Sequence, residues 1–141
     1  MRAWKEHGVR LAATAADLVA EFVPPPAADV ITYIPPDGDR SLRRGRHPAH
    51  DLAVGLAAHW GLPCASLLTR VRVVARQTGL PLAERRRNVR GAFAAAANVP
   101  SRTVLVDDVY TSGATASAAA SALRAAGAHT VHIVTFARAV R

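Results

Sequence analysis

Stretches with helical spacing alternate along this chain with short, unbroken apolar runs. From Leu11 to Val23 the residues Leu11, Ala15, Leu18, Val19 and Phe22 share one face and Asp17 and Glu21 lie off it, which predicts an amphipathic helix with that stripe turned inward. Pro24-Pro25-Pro26 ends it, because proline lacks an amide hydrogen and restricts the residue before it. The apolar run from Val30 reads as a strand. A basic loop follows, then a helix from about Pro48 to Trp60, stopped by Gly61 and Pro63, with Leu52, Leu56 and Trp60 facing the core. Cys64 to Leu68 reads as the next strand. Thr103 to Val106 is β-branched and uninterrupted, as suits a strand buried on both faces of a parallel sheet. Ala116, Ala119, Ala120, Leu123 and Ala126 then recur on one helical face, with Thr115 as N-cap and Gly127 as the stop. Strands alternating with helices predict an α/β fold with a mainly parallel sheet flanked by helices. The stretch from Arg70 to Arg90 shows no clear period.

The stretch richest in chemistry is Thr103-Val-Leu-Val-Asp107-Asp108-Val-Tyr-Thr111-Ser112-Gly113-Ala114-Thr115, an apolar strand ending in two carboxylates and then a hydroxyl-rich loop around one glycine. The acids fall at the carboxyl end of the strand, the edge where open α/β sheets bind ligands, and the loop feeds a helix N-terminus that attracts anions. Thr111, Ser112 and Thr115 can offer hydroxyls to a phosphate, and Gly113 can take a positive φ or let the phosphate approach the backbone. Asp107 and Asp108 would repel that phosphate, so their chemistry suits sugar hydroxyls or a cation. A site for one phosphorylated sugar follows.

Other proteins that end an apolar strand in two acids do not fit. A P-loop needs a lysine after its glycines, and the only lysine here is Lys5. A phosphoacceptor receiver needs a lysine and a further aspartate, yet neither lysine nor acid follows Asp108. The Gly-x-Gly-x-x-Gly of a dinucleotide site is absent as well. The bland reading, that the acids merely form a turn, sits poorly with the loop that follows them.

The motif resembles the PRPP (phosphoribosyl pyrophosphate) site of type I phosphoribosyltransferases, with Ser112 where threonine is more usual. Further segments are similar to the ComF group, a competence-associated branch of that family: Val30 to Pro36 followed by Arg40, Arg43, Arg44 and Gly45; Gln77-x-Gly79-Leu80 and Glu84 to Phe93; and the ending from Leu123 to Arg138. The resemblance covers most of residues 30 to 138. It implies that Asp107 and Asp108 hold the ribose and that Thr111, Ser112, Gly113, Ala114 and Thr115 hold the 5-phosphate. Arg40, Arg43 and Arg44 become candidates for the pyrophosphate, while Arg85, Arg86 and Arg90 would close down from a flexible flap at residues 70–90. It further implies Mg²⁺ bound with PRPP and transfer of ribose 5-phosphate to a nitrogenous acceptor, and it leaves a homodimer open. The alternative is a non-catalytic DNA-uptake or nucleic-acid-associated factor that keeps the fold. Two departures stand out: Gly45-Arg46-His47-Pro48 replaces the usual Gly-Phe-Asn-Gln, and one cysteine, Cys64, cannot build the four-cysteine zinc ribbon that many members carry upstream.

Composition adds one domain over residues 1–141, with 1–24 as helix and lead-in, and a cytoplasmic location, since the first helix is neither a signal peptide nor a membrane span. Eighteen basic residues face ten acidic ones, and eleven arginines lie between Arg40 and Arg90. A polyphosphate ligand, a nucleic acid and an arginine-rich genome each account for that charge. His47 with His50, and His129 with His132, lack acidic or thiol partners in sequence and are not read as a metal site. Cys64 reads as a small core residue, and Trp4 and Trp60 as packing residues.

Overall fold

The computed structural model describes residues 2–38, 47–71, 81, 83–84 and 91–139, with side chains from residue 10 onward. The expected flap and Arg40, Arg43, Arg44, Arg85, Arg86 and Arg90 fall outside that set, apart from Arg70, Val71, Pro81, Ala83 and Glu84, as does the side chain of Trp4.

Helix α1 spans Arg2–Phe22 and ends before the three prolines. Strand β1, Val30–Tyr33, leads through Pro35 and Pro36 toward helix α2, Pro48–Trp60. Strands β2, Leu68–Arg70, and β3, Phe93–Ala95, form an antiparallel pair, and β4, Arg102–Tyr110, helix α3, Ala114–Ala125, and β5, Thr130–Arg138, complete the chain. The main sheet runs β1-β4-β5 and both of its ladders are parallel. Alternate residues of β4 point to opposite faces, so Val104 and Val106 pack with α1 and α2, whereas Leu105 packs with α3. All three are completely buried, as a central parallel strand requires.

Local signals explain the ends of α2. Pro48 begins it, the His47 ring accepts a hydrogen bond from the His50 amide, and Gly61 closes it in the left-handed region at φ 64°. Leu52 and Leu56 are buried and Trp60 packs at the edge of the same cluster, as the spacing predicts.

The first helix corrects the sequence reading. Ala15 is buried and Val19 partly so, as the stripe predicts, but Leu11, Leu18 and Phe22 are 65%, 43% and 77% exposed, and Ala16, outside the stripe, is buried. The cause lies in how α1 meets α2. A Cβ added to Gly55 would lie 2.6 Å from the Ala16 Cβ, so the helices approach through their smallest residues and the large apolar residues are turned away. Across the same contact His59 Nε2 lies 2.7 Å from Asp17 Oδ1.

The segment after α2 also differs from expectation. Cys64 makes a single parallel bridge to Ile31 and is exposed, and the strand proper starts only at Leu68, pairing with β3 instead of the main sheet. No helix among the described residues is long and apolar enough to cross a membrane.

Candidate functional site

The two acids sit where two strand lengths mismatch. Strand β1 stops pairing at Tyr33, opposite Val106, whereas β4 continues to Tyr110 alongside β5. Asp107 and Asp108 are therefore the first residues of β4 beyond the end of β1, and Asp107 still pairs with Thr135 of β5. The Asp107 carboxylate accepts the Asp108 amide hydrogen at 2.9 Å, and the Asp108 carboxylate accepts that of Val109 at 3.0 Å. Burial pushes the Asp107 carboxyl up to about 7, helped by a hydrogen bond with Asp108 and by the Asp108 charge; the Arg70 charge opposes the rise. A carboxyl poised near neutrality can accept hydrogen bonds from sugar hydroxyls once ionised, and a ligand that brings donors would pull it toward that form.

The loop then turns directly into α3. Gly113 is the N-cap of that helix at φ 75°, a position expected of Thr115, which instead lies in the first turn. The Ser112 hydroxyl accepts the Ala114 amide hydrogen at 3.3 Å, so one first-turn donor is already satisfied. Ala114 itself is buried, Ser112, Gly113 and Thr115 are partly buried, and Thr111 is exposed. A Cβ on Gly113 would run into the Tyr110 ring and hydroxyl, so a larger residue there would have to displace the Tyr110 side chain as well as take a left-handed φ. The fold thus brings together the acid pair and the hydroxyl loop that the sequence singles out, at the carboxyl edge of the sheet.

Two neighbours of the acids escape the sequence reading. Arg70, at the end of β2, has its side chain only 15% exposed and packs its guanidinium over the Phe93 ring at 4.8 Å. It donates to the Pro35 carbonyl and to Asp37 Oδ1, both at 3.1 Å. His47 packs edge-on against Tyr33 at 5.0 Å, and burial together with the His50 charge holds it below the usual histidine range against the opposing pull of Asp51 and Asp108. His50 does have an acidic partner, since its Nδ1 lies 3.1 Å from Asp51 Oδ1. Among the described residues no group of three or more histidine, cysteine or acidic side chains gathers around a common point. The signal for His47 is the same departure noted above, His-Pro opening a helix, whereas Arg70 is one of many arginines and only the β2–β3 pairing selects it.

A cleft of about 530 Å³ lies between the chain leaving β1 and strand β2, lined by Tyr33, Pro35, His47, Ser66, Leu68 and Arg70 among others.

No described family model matches this chain. It is similar to the DNA utilization protein YhgH of Salmonella typhi, 38% identical over 112 residues, covering 77% of this chain and 48% of that protein. The protein of the same name from Salmonella typhimurium is 38% identical over 109 residues, covering 74% and 47%. The chain spans about half the length of these curated relatives. Among solved structures it resembles glutamine PRPP amidotransferase from B. subtilis, with TM-score 0.62 and 28% identity over 89% of this chain and 26% of that one. It also resembles the allosteric regulatory enzyme of purine biosynthesis, with TM-score 0.59 and 27% identity over 89% and 25%. A mainly parallel β1-β4-β5 sheet flanked by helices, matched to these structures, gives the chain a type I phosphoribosyltransferase fold.

Proposed function

We propose that this protein binds PRPP and transfers its ribose 5-phosphate to a nitrogenous acceptor. The observation that carries the reading is the continuity of the site: a half-buried acid pair near the end of β4 is followed five residues later by a glycine-capped, hydroxyl-bearing helix N-terminus. In this reading Thr111, Ser112, Gly113, Ala114 and Thr115 receive the 5-phosphate through hydroxyls and first-turn amides. Asp107 and Asp108 fix the ribose hydroxyls and favour positive charge developing at the anomeric carbon. The acceptor nitrogen attacks that carbon as its bond to the diphosphate oxygen breaks, the diphosphate leaves with the electron pair, and the acceptor's proton passes to solvent. Most of the protein's contribution is positioning. Arg40, Arg43 and Arg44, and from the flap Arg85, Arg86 and Arg90, are the proposed partners of the leaving group.

Two carboxylates with no third ligand among the described residues would suit Mg²⁺ that keeps most of its waters and is bound together with the substrate's phosphates, where it would supply charge to neutralise the leaving diphosphate.

The test is calorimetric titration with PRPP and Mg²⁺, comparing the wild type with an Asp107→Asn, Asp108→Asn double variant. Saturable binding that the variant loses supports the reading; a folded wild type that binds no PRPP refutes it. A second reading, a nucleic-acid-associated factor, draws on the net charge of +8 and on the naming of the relatives for DNA utilization. Its signature is DNA binding that falls steeply as salt rises.

A further inference from the structure

The apolar residues that α1 leaves outside, Leu11, Leu18 and Phe22, have a line of charged residues running beside them. Arg10, Asp17 and Glu21 repeat the spacing of the stripe one residue earlier, so they form a parallel line along one flank of it, and all three are exposed. Together Leu11, Leu18 and Phe22 leave on the order of 400 Å² open to water, within the range of the largest apolar patch on an ordinary monomer and about half of what each partner brings to a stable interface.

The charged line is ordered. Its cation lies toward the amino end of the helix and its two acids toward the carboxyl end. Among the described residues neither Arg10 nor Glu21 has an ion-pair partner in its own chain. On one helix the two are about 16 Å apart along the axis, too far to pair with each other. Asp17 is held in place, since its Oδ1 lies 2.7 Å from His59 Nε2, and a carboxylate can accept from a second donor as well.

This order fits a second copy of the same helix. Two copies of α1 related by a two-fold axis run antiparallel and bring the same flank of each helix together. With Leu11 of one copy against Leu18 of the other, the axis falls between Thr14 and Ala15. Arg10 then comes level with Val19 of the second copy, between Asp17 and Glu21 on the facing flank. The contact is reciprocal, so one apolar seam is bordered by two clusters of opposite charge. A parallel arrangement would instead stack like charges on like.

We propose that the outer face of α1 is a self-association surface on which a second copy of this chain docks antiparallel, with Arg10 of each copy held between Asp17 and Glu21 of the other. The surface makes no use of Asp107, Asp108 or the hydroxyl loop, so it stands or falls apart from the sugar-phosphate reading.

The experiment is sedimentation velocity on the full chain from about 1 to 500 µM, a range in which the wild type should pass from monomer to dimer. Leu18→Glu puts a charge into the seam, and Arg10→Glu sets three carboxylates together at each end of it. Each should weaken dimerisation by about tenfold or more, and so should Glu21→Arg, which faces Arg10 with another arginine. All three positions are exposed, so circular dichroism should show the fold unchanged. An equimolar mixture of the Arg10→Glu and Glu21→Arg chains should dimerise more tightly than either chain alone, because opposite charges then meet across the seam. A wild type that stays monomeric throughout, a dimer that survives both Leu18→Glu and Arg10→Glu, or a mixture no tighter than its components overturns the proposal.

Discussion

Replacing Asp107 by asparagine should make the unliganded protein more stable above neutral pH while removing a group that the proposed function assigns to the sugar. Folding raises the Asp107 carboxyl from 3.8 to about 7, burial being the chief cause. At about 1.36 kcal/mol per pH unit, holding that carboxyl ionised in the folded state costs on the order of 4 kcal/mol relative to the unfolded chain. The sign follows from proton counts. Between 3.8 and 7 the folded state keeps a proton that the unfolded state has lost, so stability is full below 3.8, falls as pH rises through 7, and is flat beyond. Asparagine has the same shape, can still accept the Asp108 amide hydrogen, and can offer its own amide to the Asp108 carboxylate. The assay is urea unfolding of the wild type and Asp107→Asn at pH 5 and at pH 8. Other titrating groups, His47 with its lowered pKa among them, act on both proteins and cancel in the difference. The advantage of the variant should grow between the two pH values by on the order of 2–4 kcal/mol, or roughly 10 °C in Tm. Equal differences at pH 5 and pH 8 would refute the reasoning.

Gly113→Ala should cost about 1–3 kcal/mol in urea unfolding and abolish ribose 5-phosphate binding in calorimetry, because a methyl group there meets both a φ of 75° and the Tyr110 hydroxyl. Leu105→Ala should cost about 2–5 kcal/mol, since Leu105 is wholly buried in the cluster under α3. Leu18→Ala should cost less than about 1 kcal/mol, because that side chain is 43% exposed; equal Tm losses for the two leucines would contradict the packing described for α1.

The Asp-Asp pair, the hydroxyl loop and the parallel α/β architecture are legible in the chain because each rests on short-range chemistry. An unbroken β-branched run can hardly avoid being a buried strand, and a loop of threonine, serine and glycine before an alanine-rich helix places donors at a helix N-terminus whatever surrounds it. The limits of α2 are legible for the same reason, since Pro48 and Gly61 act on their own backbone. Periodicity places Ala15 and Val19 correctly but misassigns Leu11, Leu18 and Phe22 of α1, because hydrophobic spacing identifies an apolar stripe and says nothing of how closely a partner helix can come. Ala16 against Gly55 settles that question, and the larger side chains are left outside.

Cys64 shows the same limit in a strand. An apolar run predicts extended chain, yet whether it joins the main sheet depends on what else competes for the edge of β1, and only one bridge forms before the chain leaves to pair with β3. Arg70 and His47 are the sharpest case. Nothing in sequence separates Arg70 from the other arginines of its region, and it gains its place because β3 brings Phe93 beneath it and the turn after β1 brings the Pro35 carbonyl within reach. Sequence by itself determines the elements and the chemistry that each carries on its own backbone. Only the tertiary structure decides which side chains lose water together, and with that loss comes the raised pKa of Asp107.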